Sequence, residues 1–165
     1  MLTNFDTQYD HPVWLPEIHQ ARNPRLIKAV YDDLVVLGVE MITDCKLLSL
    51  NISNNRIESI QTSTGCYSVE QLILTTGAWT GELWQQIFPF RDTVLPKIEP
   101  IKGQMLLFDA NPDTLSHMVL DGAHYLIPRK DGKVLAGSTV EACGFEKTTD
   151  LNTRTKLTEF AYNLL

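Results

Sequence analysis

Gln71-Leu72-Ile73-Leu74-Thr75-Thr76-Gly77-Ala78-Trp79-Thr80-Gly81 is the stretch on which the fold is decided. Its apolar run, Leu72-Ile73-Leu74, does not alternate, as expected of a strand covered on both faces. The run meets small residues at Gly77, after which Trp79, Leu83, Trp84 and Ile87 recur at helical spacing and predict a helix over about 79–87. A strand that passes through small residues into a helix is where an α/β protein brings backbone N–H groups close to an anionic ligand. No Gly-x-Gly-x-x-Gly loop occurs anywhere in the 165 residues, so the usual glycine-rich seat for a dinucleotide is missing.

Upstream, Asn23 suits a cap, Pro24 the first helical position and Gly38 the closing position. Between them Leu26, Ile27, Val30, Leu34 and Leu37 share one face, which predicts a helix over 24–37. Val39-Glu40-Met41-Ile42 then predicts a short strand. From 47 the period changes to two: Leu48, Leu50 and Ile52 alternate with polar residues, Ser53-Asn54-Asn55 turns the chain, and Ile57 and Ile60 return, so 47–62 is a hairpin. Thr64-Gly65 turns it again into a third strand around 66–69, giving an antiparallel meander. Residues 1–22, with Pro12, Pro16, Phe5, Tyr9, Trp14 and Ile18 but no periodicity, are expected to form an extended arm laid across another surface to hide its apolar groups.

Downstream, Pro89, Pro96 and Pro100 interrupt the pattern and place a boundary between two lobes near 88–95. A strand is predicted over 104–108, a turn at Asn111-Pro112-Asp113, and a hairpin whose arms, 124–128 and 133–138, flank the strong turn signal Asp131-Gly132. Leu157, Phe160, Ala161, Leu164 and Leu165 predict an amphipathic helix beginning near Thr153. The pattern stops on Leu164-Leu165 with neither cap nor polar tail, as expected of a piece of a longer chain.

Composition narrows the classes. The hydrophobic fraction of 44% and charged fraction of 21% are those of an ordinary globular protein, of a size for one domain or two small lobes. Net charge is −6 and no run of Lys or Arg occurs, which argues against a nucleic-acid partner. No apolar run reaches the roughly 18 residues needed to cross a bilayer, and the N-terminus lacks a basic region followed by an apolar one. A cytoplasmic protein with no membrane partner is expected. Cys45, Cys66 and Cys143 are odd in number and widely spaced, against a disulfide framework and in favour of a reducing compartment. His11, His19, His117 and His124 share no helix face with a cysteine or carboxylate at metal-ligand spacing, so no metal site is expected.

Five stretches in collinear order carry a resemblance: Asn-Pro-Arg-Leu-Ile-Lys-Ala-Val at 23–30 with the Leu-Gly-Val-Glu that follows, Leu-Thr-Thr-Gly-Ala-Trp-Thr at 74–80, Pro-Ile-Lys-Gly-Gln-Met at 100–105, and Tyr-Leu-Ile-Pro-Arg-Lys-Asp-Gly with Ala-Gly-Ser-Thr-Val-Glu within 125–141. From about residue 10 onward the chain resembles the D-amino-acid-oxidase-type flavoproteins, and within them the glycine oxidases of thiamine biosynthesis. The resemblance implies a mixed α/β (α+β) fold in two partial lobes. Residues 1–90 would be part of a Rossmann-like FAD-binding lobe with a β-meander, and 91–165 part of an antiparallel-sheet substrate lobe with a C-terminal helix. It implies FAD as cofactor and oxidation of a small amine or amino acid, with hydride passing to the flavin and oxygen as final acceptor. Such chemistry asks little of side chains beyond orientation and charge complementarity. The family's N-terminal glycine loop and a C-terminal carboxylate-binding arginine have no counterpart here, which makes FAD binding by this chain weak and leaves a non-catalytic interaction module as the alternative. A homodimer or an exchange of elements would cover surfaces that such a truncation leaves open.

Residue by residue, the resemblance places Thr75, Thr76, Gly77, Ala78 and Trp79 beside FAD, where the bland alternative is a strand-to-helix turn with Trp79 in the core. Leu47 matches a position whose backbone faces the adenine, so any role is main-chain only. Tyr125 matches a tyrosine whose hydroxyl helps hold the substrate carboxylate; a tyrosine packed on one hairpin face is the alternative. His124 points to the opposite face if the strand is regular. Arg129 is expected to be a solvated or structural strand-end charge, and Gly103 and Gln104 fall where the family's lobes join, Gly103 letting the strand bend. No catalytic acid or base is assigned; Glu141 is not required for this chemistry.

Overall fold

The computed structural model describes residues 12–89 and 98–165. They form two units, one comprising 12–75 and 82–89, the other 76–81 and 98–165. Phe5 and Tyr9 of the expected arm, and most of the expected lobe boundary with Pro96, lie outside the described residues.

In the first unit the leading helix, α1, spans Asn23–Val36. Its cap is Arg22 rather than Asn23: the Arg22 carbonyl accepts from the N–H groups of Arg25 at 2.9 Å and Leu26 at 3.0 Å, and no side chain caps the end. Proline gives no vote between these registers, because the first helical N–H groups lack an intrahelical acceptor either way. The other end closes as expected. Gly38, at φ 76, donates to the Val35 carbonyl at 3.0 Å and Val39 donates to Leu34 at 3.0 Å, the paired bonds of a Schellman cap.

α1 buries none of its residues; on its apolar face Leu26, Ile27, Val30 and Leu37 are exposed and Leu34 is half-buried. The strands expected at 39–42 and 71–76 do not form. A strand exists only through ladder bonds to a neighbour, and neither segment has one among the described residues. Ile73, expected to be covered on both faces, is 82% exposed. The described part of the arm likewise leaves Trp14 and Ile18 open, so that part does not hide its apolar groups.

The meander is as predicted. β1 (Leu47–Ser53), β2 (Arg56–Thr62) and β3 (Cys66–Ser68) pair antiparallel in chain order. Asn54 and Asn55, at φ 49 and 61, make the two-residue turn with the double left-handed backbone that matches strand twist and that asparagine tolerates best after glycine. The helix predicted over 79–87 begins as a 3-10 turn at Gly77–Trp79 and continues as α2 (Thr80–Ile87). From α2, Gln86 Nε2 donates to the Leu48 carbonyl at 3.0 Å.

The second unit holds an antiparallel sheet of β4 (Met105–Asp109), β5 (Val119–Asp121), β6 (His124–Pro128) and β7 (Lys133–Gly137), in the order β4-β7-β6-β5. β5 carries no alternation of its own long enough to be seen in the sequence. The Asp131-Gly132 turn forms: Gly132, at φ 78, donates to the Arg129 carbonyl at 3.0 Å, and Arg129 donates to Lys133 at 2.8 Å. α3 (Leu151–Leu164) begins two residues before the expected Thr153, because Asp150 is the cap and its carboxylate accepts the Thr153 N–H at 2.8 Å.

Alternation divides the sheet. Leu126, Val134 and Ala136 face α3 and are buried with its Ala161 and Leu164, flanked by Phe108, Leu115, Val119 and Phe160. The other face carries Met105, Gly137 and Tyr125 in one cross-strand row, since Met105 pairs with Gly137 and Gly137 with Tyr125. Among the described residues no helix is long and apolar enough to cross a membrane.

Candidate functional site

Three arrangements concern the expected site residues. At the turn after 71–76, Gly77 adopts φ 53, and a Cβ placed on it would meet no heavy atom of the described residues within 4 Å. The turn is held from within: Trp79 N–H donates to the Thr76 carbonyl at 3.1 Å, Thr80 Oγ1 donates to the Gly77 carbonyl at 2.7 Å, and the Thr76 and Thr80 hydroxyls are 3.0 Å apart. Trp79 is not a core residue. Its indole is 52% exposed, stacks on Phe145 with centroids 5.4 Å apart, and lies 5.9 Å from Lys147 Nζ, within cation–π reach. Phe145 and Lys147 are neighbours that sequence reasoning missed, since nothing local to either links it to a tryptophan so far back in the chain.

Thr75 is exposed and belongs to the first unit, as does Leu47; Ala78 is half-buried in the second. Leu47 opens β1, and its carbonyl accepts from Gln86 Nε2 at 3.4 Å, so its main chain is partly engaged.

The second arrangement surrounds Tyr125. Its ring lies over Gly137, where a Cβ would come within 2.7 Å of the ring atoms. Because Gly137 has no side chain, the phenol reaches across the middle strand and donates to Met105 Sδ at 3.2 Å. Leu120, paired with Tyr125, and Leu107, on the next row, are exposed on this face. His124 points the other way, as alternation predicts, with its ring 5.1 Å from Phe160 of α3. His124 Nδ1 and Arg129 Nε are buried without a hydrogen-bond partner among the described residues, and Arg129 as a whole is half-buried at the end of its strand.

The third arrangement centres on Gln104, which is 8% exposed. Its amide nitrogen donates to Glu141 Oε1 and Asp150 Oδ2, both at 2.8 Å, and its amide oxygen accepts the Asp150 N–H at 3.2 Å. Lys102 Nζ pairs with the other Glu141 oxygen at 2.9 Å and donates to the Thr148 carbonyl at 3.0 Å. The Thr139 hydroxyl, followed by Lys102 and Gln104, holds the Glu141 carboxyl down at about 2. The Thr153 N–H, followed by Gln104, does the same for Asp150, also to about 2, while the bond to Glu141 raises Lys102. Gly103 answers a close approach: a Cβ there would sit 3.1 Å from the Thr139 carbonyl. An open cleft of about 570 Å³ lies beside this network, with Gln104, Met105, Glu146 and Arg154 on its wall. Every carboxylate in the network is satisfied, so it ties the start of β4, the exit from β7 and the cap of α3 together and offers no free acid or base.

No hydrogen bond or ring contact joins Tyr125 to Thr76, Gly77, Ala78 or Trp79 among the described residues. Nor do those residues include a cluster of three or more His, Cys, Asp or Glu side chains that could hold a metal ion.

A family profile described as FAD dependent oxidoreductase matches residues 3–165. Glycine oxidase of Pseudomonas putida is 34% identical over 158 residues, which is 95% of this chain and 42% of that protein. The hydrogen cyanide synthase subunit HcnC of Pseudomonas protegens is 30% identical over 132 residues, 79% of this chain and 31% of that one. The crystal structure of glycine oxidase from Bacillus cereus superposes with a TM-score of 0.74 over 86% of this chain and 38% of its own, at 21% identity, a likeness of fold. The chain thus spans less than half the length of these relatives.

Proposed function

This chain belongs to the FAD dependent oxidoreductase family, and from that premise we propose that it is the middle portion of a glycine-oxidase-like enzyme that oxidises a small amine or amino acid to an imine. In this reading residues 1–90 belong to the FAD-binding lobe and 91–165 to the substrate lobe. FAD, when bound, supplies the acceptor for a hydride from the substrate α-carbon, with oxygen taking the electrons onward.

The residues present fit one flank of that cofactor. Among the described residues nothing fills the space over Gly77, so its backbone offers a surface for a ligand, and the half-open Trp79 offers an aromatic surface beside it. Thr76, Gly77, Ala78 and Trp79, which lie together in the second unit, would hold it. The pyrophosphate seat is a separate matter, since no Gly-x-Gly-x-x-Gly loop lies in these residues.

One observation carries the substrate side: Tyr125 is seated on Gly137 on an open apolar sheet face, its hydroxyl given to a thioether. A thioether is a weak acceptor, and a substrate carboxylate takes a phenol proton in a far stronger, charge-assisted bond. Tyr125 therefore orients the carboxylate end of a small amino acid. The missing glycine loop favours a second reading, a non-catalytic module that keeps the fold without holding FAD.

The deciding experiment adds FAD to the purified chain, removes the excess by gel filtration, and reads oxidised-flavin absorbance, then oxygen uptake with glycine and with sarcosine. The same is done with a longer form that supplies flanking residues on both sides. Flavin retention and turnover by the longer form are expected. A longer form that folds and stays colourless overturns the oxidase reading.

A further inference from the structure

Resting on that reading, we propose that Met105 is an oxidation site through which hydrogen peroxide disables the Tyr125 hydroxyl. Oxygen that accepts two electrons and two protons leaves as peroxide, so an oxidase of this class exposes its own substrate lobe to that oxidant. Met105 is 54% exposed on the sheet face opposite α3, and its Sδ is the atom that Tyr125 holds at 3.2 Å. Access decides which thioethers are oxidised. The hydrogen bond decides that this oxidation has a consequence.

In the step itself a sulfur lone pair forms an S–O bond to one peroxide oxygen, the O–O bond breaks, and the second oxygen leaves as water after proton transfer. Sulfur loses two electrons and peroxide gains them. The product is methionine sulfoxide, whose polar oxygen is a much better acceptor than the thioether. Gly137 puts no side chain between the two tips, and the row Met105, Gly137, Tyr125 keeps them in register. The sulfoxide oxygen then competes with the substrate carboxylate for the single phenol proton. Because methionine sulfoxide reductases reverse the step, the modification is a product-linked brake rather than damage alone. Met118 is half-buried and Met41 is exposed, so the chain carries its own controls for access.

The test treats the purified chain with hydrogen peroxide, quenches with catalase, and follows oxygen addition at each methionine by peptide mass spectrometry, with ring-proton NMR of Tyr125 in parallel. Wild type, Met105→Leu and Tyr125→Phe are compared. Met105 is expected to be converted alongside Met41 and several-fold faster than Met118, and the Tyr125 ring signals to shift in step with it. Methionine sulfoxide reductase should restore both, and Met105→Leu should show no Tyr125 shift. Met105 still reduced after Met41 is fully converted, or Tyr125 signals moving equally in Met105→Leu, overturns the proposal. Neither readout needs flavin, so a colourless protein would sink the oxidase reading alone, and an unreactive Met105 in a flavin-bound protein would sink this one alone.

Discussion

α1 and α3 are both 14 residues long and both carry an apolar face at helical spacing, yet their fates differ. α3 buries Leu157, Ala161 and Leu164, and α1 buries nothing. The same contrast separates the units that hold them. Every buried apolar residue among those described lies in the unit with the four-stranded sheet, whereas the unit of α1 and the meander holds one buried residue, the polar Thr62. Periodicity states which face a helix would bury. Whether it does so depends on a partner surface, and α1 has none among the described residues.

The contrast can be broken most directly at Leu157. Truncation to alanine removes a fully buried side chain from the α3 core, and a loss of about 2–5 kcal/mol is expected in denaturant unfolding followed by circular dichroism. A loss near zero would mean that the second unit is no better anchored than the first. Next is Gln104→Leu, which strips the amide bonds from two carboxylates and should cost about 1–3 kcal/mol in the same assay.

Acid sharpens the comparison further. Glu141 and Asp150 are held at about 2, below their ordinary values, so the stability they contribute is complete above those ordinary values and lost as pH falls toward about 2. The α3 unit should therefore loosen across that window by hydrogen exchange. In Gln104→Leu the loss should begin at higher pH, because one cause of both depressions is gone.

Smaller effects belong to the other unit. Gly38→Ala forces a side chain onto φ 76 and should cost about 1–2 kcal/mol of α1 stability, read as faster amide exchange in its last turn. Val36→Ser, at a position 85% exposed, should change stability by no more than about 0.5 kcal/mol. A large cost there would reveal a partner for the α1 face.

Local signals were legible where the chemistry is local. Asn54-Asn55, Asp131-Gly132 and Gly38 each fixed a left-handed backbone, and the hairpins and helices around them followed. The strands expected at 39–42 and 71–76 failed for the opposite reason: an apolar run reports a wish for neighbours, and strand formation needs their backbone. The His124 and Tyr125 alternation could be derived because both sit in one regular strand. Phe145 and Lys147 at Trp79, and the meeting of Gln104 with Glu141 and Asp150, are long-range contacts of residues that are individually ordinary. A glutamine beside a glycine gives no sign that it will bond two carboxylates far along the chain.

Gly137 has a genetic consequence. The atoms that an added methyl would strike are the far end of the Tyr125 ring rather than backbone, so the substitution would displace the phenol before it disturbed the sheet. Intolerance at 137 is thus conditional on the ring at 125. In a library that varies both positions, alanine at 137 should lose much of its penalty once 125 is small, and the two sites should score as one epistatic pair.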